Sequence, residues 1–191
     1  MLDINLHPFT VLHTQRLTLR ALKPEDAEDA FVMRADKELA KYIDRPLQQS
    51  MIEVYDWMKT VNDNYQANNG IMWVITYNNN DRMIGTIGYW RMDKEHHRAE
   101  IGYTLTKANQ GKGLMNEALK AVIEYGFNQL SLHSIEANVN PDNQPSIRLL
   151  EKSGFVREGY FRENYYHDGQ FLDSAIYSLV KTKNHNFYKV C

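Results

Sequence analysis

The chain has 191 residues, with 22 Lys and Arg against 24 Asp and Glu and a net charge of −2, so it lacks the basic excess of a protein that holds nucleic acid by neutralising phosphates. No apolar run reaches the roughly 18 residues of a membrane span, and Met1-Leu-Asp-Ile-Asn lacks the basic opening of a secretory signal, which together predict a cytoplasmic protein with no membrane partner. Its single cysteine, Cys191, stands last; an intramolecular disulfide and a cysteine-based metal cluster are excluded, and the thiol reads as incidental.

No linker, repeat or low-complexity tract divides the sequence, so residues 1–191 are expected to form one domain, long enough to bury about 70% of its unfolded surface. Residues 14–21 alternate as a first strand, and Lys23-Pro24-Glu25-Asp26 opens a helix with acidic residues in its first turn. A helical stretch near 50–68 precedes strand-like residues 71–77, a turn over 78–81, a second strand over 83–90 and a charged loop over 91–97. Residues 98–105 alternate again: Ala99, Ile101, Tyr103 and Leu105 share one face, while Arg98, Glu100, Gly102 and Thr104 share the other. After a glycine-rich turn, Met115, Ala118, Leu119, Val122 and Gly126 make the apolar stripe of an amphipathic helix. A β-type run over 135–139 follows, then a short helix with Asn143 as N-cap, Pro145 in the first turn and Gly154 after its end. Two long strands over 155–165 and 171–180 meet at Asp168-Gly169, a pair suited to a type I′ turn. Strands bracketed by helices predict an α/β (α+β) architecture: a mixed, mainly antiparallel sheet covered on both faces.

Chemistry concentrates at Gln110-Gly111-Lys112-Gly113-Leu114-Met115, where strand passes into helix. The two glycines let the backbone approach a ligand, and the free N–H groups of the helix start suit an anion such as a diphosphate. Neither of two better-known phosphate loops fits. Lys112 lies between the glycines without a following Ser or Thr for magnesium, and Asn116 occupies the third glycine position of the dinucleotide fingerprint. A glycine-rich turn without a ligand is the alternative reading.

The short Gln-Gly-Lys-Gly form, the block from Asn143 through Ser146 to Gly154-Phe155, and Thr14-Gln15-Arg16-Leu17-Thr18-Leu19-Arg20 near the start together resemble the GNAT superfamily of N-acetyltransferases, in its ribosomal-protein (RimJ/RimL-type) branch. The resemblance extends from about residue 14 to residue 181. It implies a GNAT fold and acetyl-CoA as acetyl donor, gripped by Tyr103, Thr104, Leu105, Gln110, Gly111, Lys112, Gly113, Leu114, Met115, Asn138 and Asn143. It also implies direct attack by a primary amine, with no metal. Glu100 is the base with family precedent; it equally suits a solvated or salt-bridged strand carboxylate with Arg98 nearby. Ser146 matches a serine placed beside the CoA sulfur, where a hydroxyl can donate to the departing thiolate; a helix-start serine bonded to local backbone is the plainer alternative.

Several positions depart from family patterns. Ala108 stands where many members carry Arg or Gln, Leu150 where other branches use a tyrosine acid, Asn138 where a carboxylate is frequent, and Tyr165 where some ribosomal-protein enzymes have glutamate. A base such as a water chain is therefore the alternative to Glu100. His96 and His97 read as exposed loop residues, because adjacent histidines without further ligands do not make a metal site. Trp90 and Tyr165 are expected to wall the acceptor side, which suits a peptide N-terminus, in keeping with the ribosomal-protein branch. An α-amine with pKa near 8 is roughly a tenth neutral at pH 7 and asks little of a base, unlike a lysine amine near pKa 10.4. The alternatives are a small amine (polyamine, amino acid or antibiotic) and an acyl-CoA-binding module without turnover. A homodimer through the C-terminal hairpin is the expected assembly.

Overall fold

A computed structural model describes residues 4–43 and 45–181; Cys191 lies outside them. In chain order the elements are β1 (Leu12–His13), β2 (Leu17–Arg20), α1 (Ala27–Arg34), α2 (Lys37–Ala40), α3 (Met51–Gln66), β3 (Ile71–Tyr77), β4 (Asn80–Asp93), β5 (Arg98–Leu105), α4 (Leu114–Asn128), β6 (Ser134–Val139), α5 (Gln144–Lys152), β7 (Val156–His167) and β8 (Gln170–Val180), with single 3-10 turns at Pro24–Asp26 and Lys107–Asn109. The strands form one sheet in the order β1-β2-β3-β4-β5-β6-β8-β7. Every neighbouring pair is antiparallel except β5 and β6. A parallel pair needs a crossover, and α4 supplies it.

Alternation decides which side chains each helix layer covers. Ile71, Trp73 and Ile75 of β3 and Ala99, Ile101 and Leu105 of β5 join Ala118, Leu119, Val122 and Ile123 of α4 in the larger core. Full burial of each Ile, Leu or Val among them stabilises by roughly 1.5–3 kcal/mol. Val74 and Met83 face the other way, into a second core with Ala27, Ala30, Met33 and Val54 of α1 and α3. Helices thus cover both faces, as expected. The stripe position Gly126 has a specific cause: a Cβ there would lie 2.3 Å from the hydroxyl of buried Tyr89, which donates to Val122 O at 2.8 Å.

Three expectations of local structure need correction. Residues 14–21 are not one strand, because Thr14 N–H donates to Leu17 O and folds the chain into a β1–β2 hairpin. The charged segment 91–97 is partly strand: β4 continues to Asp93, pairing Arg91, Met92 and Asp93 with Glu100, Ala99 and Arg98. The turn before β4 is shorter than residues 78–81, since Tyr77 already pairs with Asn80. The Asp168-Gly169 turn has φ of 46° and 84°, the doubly positive geometry of a type I′ hairpin.

Candidate functional site

The pairing of β5 with β6 runs only over Arg98↔Ser134, Ala99↔Ile135 and Glu100↔Glu136. Beyond Glu100 the two strands part, and β5 keeps β4 on one side. Thr106 N–H donates to Ile84 O at 2.9 Å, so alternate peptide groups of β5 turn toward β4 and the intervening ones, at Tyr103 and Leu105, turn toward the gap. Gln110 Nε2 reaches Leu105 O there at 2.9 Å; the side chain expected on the cofactor is bonded to the backbone of its own loop.

The glycine loop closes the far end of this gap. Gly111 and Gly113 have φ of 73° and 74°, a left-handed conformation that a Cβ disfavours, and no heavy atom lies within 4 Å of where Gly111 would carry one. Gly113 caps α4 with its backbone alone, which leaves the first-turn N–H groups facing outward in the positive field of the helix start. Leu105 and Leu114 put their side chains in the core, so they can meet a cofactor only through backbone. Lys112, Gln110 and both glycines are exposed, and Met115 is half-buried. Arg16 braces the turn: its Nη1 donates to Lys112 O at 3.0 Å and its Nε to Glu117 Oε2 at 2.7 Å.

At the start of α5, Asn143 Oδ1 accepts Ser146 N–H at 3.2 Å, the expected cap. Ser146 does not satisfy a local backbone group as the plainer reading had it; its Oγ lies 2.8 Å from Tyr103 Oη. This bond ties β5 to α5 across the gap. Burial pushes the Tyr103 phenol up to about 12, against a smaller lowering by the Ser146 bond, so the pair stays protonated through the physiological range. Two hydroxyls share one internal hydrogen bond, and one O–H is left to donate to a third group.

On the opposite face of β5, Glu100 stands at the fork. It is 7% exposed, which corrects the solvated reading, and its partner is Arg91 at 3.3 Å rather than Arg98. Arg98 lies 3.6 Å from Asp93 and 3.7 Å from Glu136. Burial raises the Glu100 pKa, Arg91 opposes that rise and the Glu136 charge adds to it. A bulge in β4 between Tyr89 and Arg91 produces this arrangement: Trp90 is the extra residue, 55% exposed, its ring over Gly102 and under the Arg91 guanidinium at 4.5 Å. Thr104 lies on the Glu100 face of β5 by alternation, and Asn138 is exposed, two residues beyond Glu136 on β6. Tyr165 is half-buried opposite Leu172 on β7, three strands from β5. The structure thus places Trp90 over Gly102, against the Arg91 that pairs with Glu100, and Tyr165 on the outer hairpin. Leu150 is fully buried core.

Sequence reasoning missed Arg91, Glu136 and the bond between Tyr103 and Ser146. Only the Trp90-Arg91 dipeptide, breaking the alternation of β4, carried a local signal. Among the described residues there is no group of three or more His, Cys, Asp and Glu placed to hold a metal ion, and no helix long and apolar enough to cross a membrane.

A sheet that splits beside a glycine-capped helix, with a buried carboxylate at the fork, offers a cleft with an anion site at one end and a candidate base at the other. The chain belongs to the acetyltransferase (GNAT) domain family, whose pattern matches residues 16–156, and it is an acetyl-CoA-dependent N-acetyltransferase. It is 37% identical over 170 residues to the uncharacterized N-acetyltransferase p20 of Bacillus licheniformis, spanning 89% of this chain and 96% of that protein. Its fold is similar to that of RimL, the ribosomal L7/L12 α-N-protein acetyltransferase solved with coenzyme A, with TM-score 0.82 and 22% identity over 90% of this chain and 98% of RimL. The spermidine N-acetyltransferase of Vibrio cholerae, solved with CoA and spermine, gives 0.77 and 24% over 86% and 95%. At these identities the two structural likenesses are of fold alone.

Proposed function

We propose that this enzyme transfers acetyl to the N-terminal α-amine of a protein or peptide, a ribosomal protein in the first instance, by direct attack within a single cytoplasmic domain. RimL and the spermidine enzyme both share the fold, so the choice rests on the acceptor side. The observation that carries it is charge: Glu100, Asp93 and Glu136 each lie within 4 Å of an arginine, Arg91 or Arg98. Carboxylates already paired offer little to a polycation, whereas Trp90 above the bare Gly102 backbone suits a peptide.

In this reading the CoA diphosphate lies against the N–H groups of residues 111–115, with Lys112 beside it. The amide-bearing arm runs through the gap along Tyr103, near Asn143 and Asn138. The thioester then sits at the fork, between Tyr103–Ser146 on one face and Glu100 on the other. Glu100 takes the proton of the attacking amine, the carbonyl carbon becomes tetrahedral, and its collapse breaks the C–S bond while the free O–H of the Tyr103–Ser146 pair donates to the thiolate. The homodimer belongs to the same proposal. Tyr160, Phe161, Tyr166 and Phe171 are exposed on the β7–β8 hairpin, and charge inverts about Tyr160, Arg157 mirroring Glu163 and Glu158 mirroring Arg162, so that a second copy paired about a two-fold axis would meet opposite charges.

Competition tests the acceptor. With acetyl-CoA limiting and equimolar spermidine and an eight-residue peptide with a free N-terminus, at least tenfold more acetyl should appear on the peptide α-amine by mass spectrometry. Preferential acetylation of spermidine would refute this assignment.

A further inference from the structure

On the α3 side of the sheet a cavity of about 320 Å³ opens among Phe9, Leu22, Met58, Val61, Tyr65 and Met72. Its walls are chiefly apolar, and it lies between the two cores, with Phe9 and Tyr65 packed against the larger and Leu22 and Met58 against the second. Its floor residue Met72 lies on β3, two strands from β5, which carries Glu100. Met72 pairs with Gly88 and Gly88 with Gly102, a row running straight across three strands from the cavity to the residue beneath Trp90. Gly88 is buried and Gly102 half-buried, and neither carries a side chain. A Cβ at Gly88 would collide with Ile71 O at 2.2 Å, and the space over Gly102 is bounded by the Trp90 ring, 3.5 Å from where its Cβ would be.

We infer that this cavity is a specificity pocket for the acceptor, taking a large apolar side chain near the start of the acetylated peptide. The inference rests on the α-amine reading above and sharpens it. Two strand spacings put Met72 about 10 Å from Gly102, and Glu100 is two residues further along the same face of β5. An extended peptide advances about 3.4 Å per residue with alternate side chains on one face. An amine at Glu100 therefore directs its third side chain, itself several ångströms long, into the cavity. Leucine or phenylalanine suits the lining; a polyamine has nothing to place there and would leave the pocket unfilled. The half-buried Met58 and Met72 give the walls the adaptability of unbranched thioethers.

Peptide affinity for the enzyme loaded with CoA, in which no transfer can occur, separates this inference from the reading it rests on. Two eight-residue peptides differing only in Leu or Ser at position 3 are titrated against wild type and Val61→Trp, a substitution that fills the pocket from a half-exposed position on α3. The leucine peptide should bind about tenfold tighter to wild type, and the preference should vanish in Val61→Trp while the serine peptide binds both proteins alike. Equal affinities in wild type overturn the pocket, as does a preference that survives Val61→Trp when circular dichroism shows the variant folded. A preference in binding with no acetylation of either peptide from acetyl-CoA keeps the pocket and refutes the α-amine reading. Met58→Ala, which enlarges the pocket, should shift the preference from leucine toward phenylalanine.

Discussion

Glu100→Gln should lower kcat/KM for a peptide acceptor by about 10²-fold to 10³-fold at pH 7, the loss expected when a positioned general base is removed. Glutamine keeps the shape and cannot accept the proton. A carboxyl whose pKa is raised by burial and by Glu136 is a stronger base toward an α-amine than a solvated one. The deficit should shrink as pH rises toward 9, because the amine then arrives neutral without help. Stability should move the other way. A raised folded-state pKa means that Glu100 contributes most when protonated, below its unfolded pKa, and that this contribution is lost as pH rises through the folded pKa. At pH 7 the variant should therefore melt above wild type, and the two should converge near pH 4. A variant that keeps wild-type kcat/KM would pass the base role to a water chain.

Ser146→Ala should cost roughly tenfold to a hundredfold in kcat, the worth of a hydrogen bond to a charged group, with little change in KM for acetyl-CoA. A thiol of pKa near 8.5 leaves without strong acid assistance, so a larger effect is not expected. Tyr103→Phe should reproduce much of the loss, because Ser146 Oγ would lose the partner 2.8 Å away that orients it. The double variant should fall well short of the product of the two single effects, since one internal bond is broken in both cases. Independent, multiplicative losses measured by thiol release in a double-mutant cycle would mean that the two hydroxyls do not act as a unit.

How far these residues could be seen beforehand follows from sequence distance. The β5–glycine loop–α4 unit was legible because its signals are local: alternation, two glycines, then an apolar stripe. Asn143 and Gly154 likewise announced both ends of α5. Glu100 itself was legible, yet its surroundings were not. Counting by twos put Arg98 beside it, whereas the Trp90 bulge brings up Arg91, and Arg98 turns instead to Asp93 and Glu136. Glu136 becomes a neighbour only through the parallel crossover. Tyr103 and Ser146 are 43 positions apart and meet because β5 and β6 separate, an event no short window of sequence contains. The β1–β2 hairpin was missed for a related reason: Thr14, which turns the chain, also holds Glu117 of α4, a contact with nothing local to announce it.

The most direct test of the central claim is release of free thiol from acetyl-CoA by wild-type enzyme, with and without a peptide bearing a free N-terminus, and with the same peptide already formylated. Release that requires the free α-amine and matches acetyl-peptide one for one is the predicted result. Release that is equal in all three conditions, or absent in all three while CoA still binds, would contradict it.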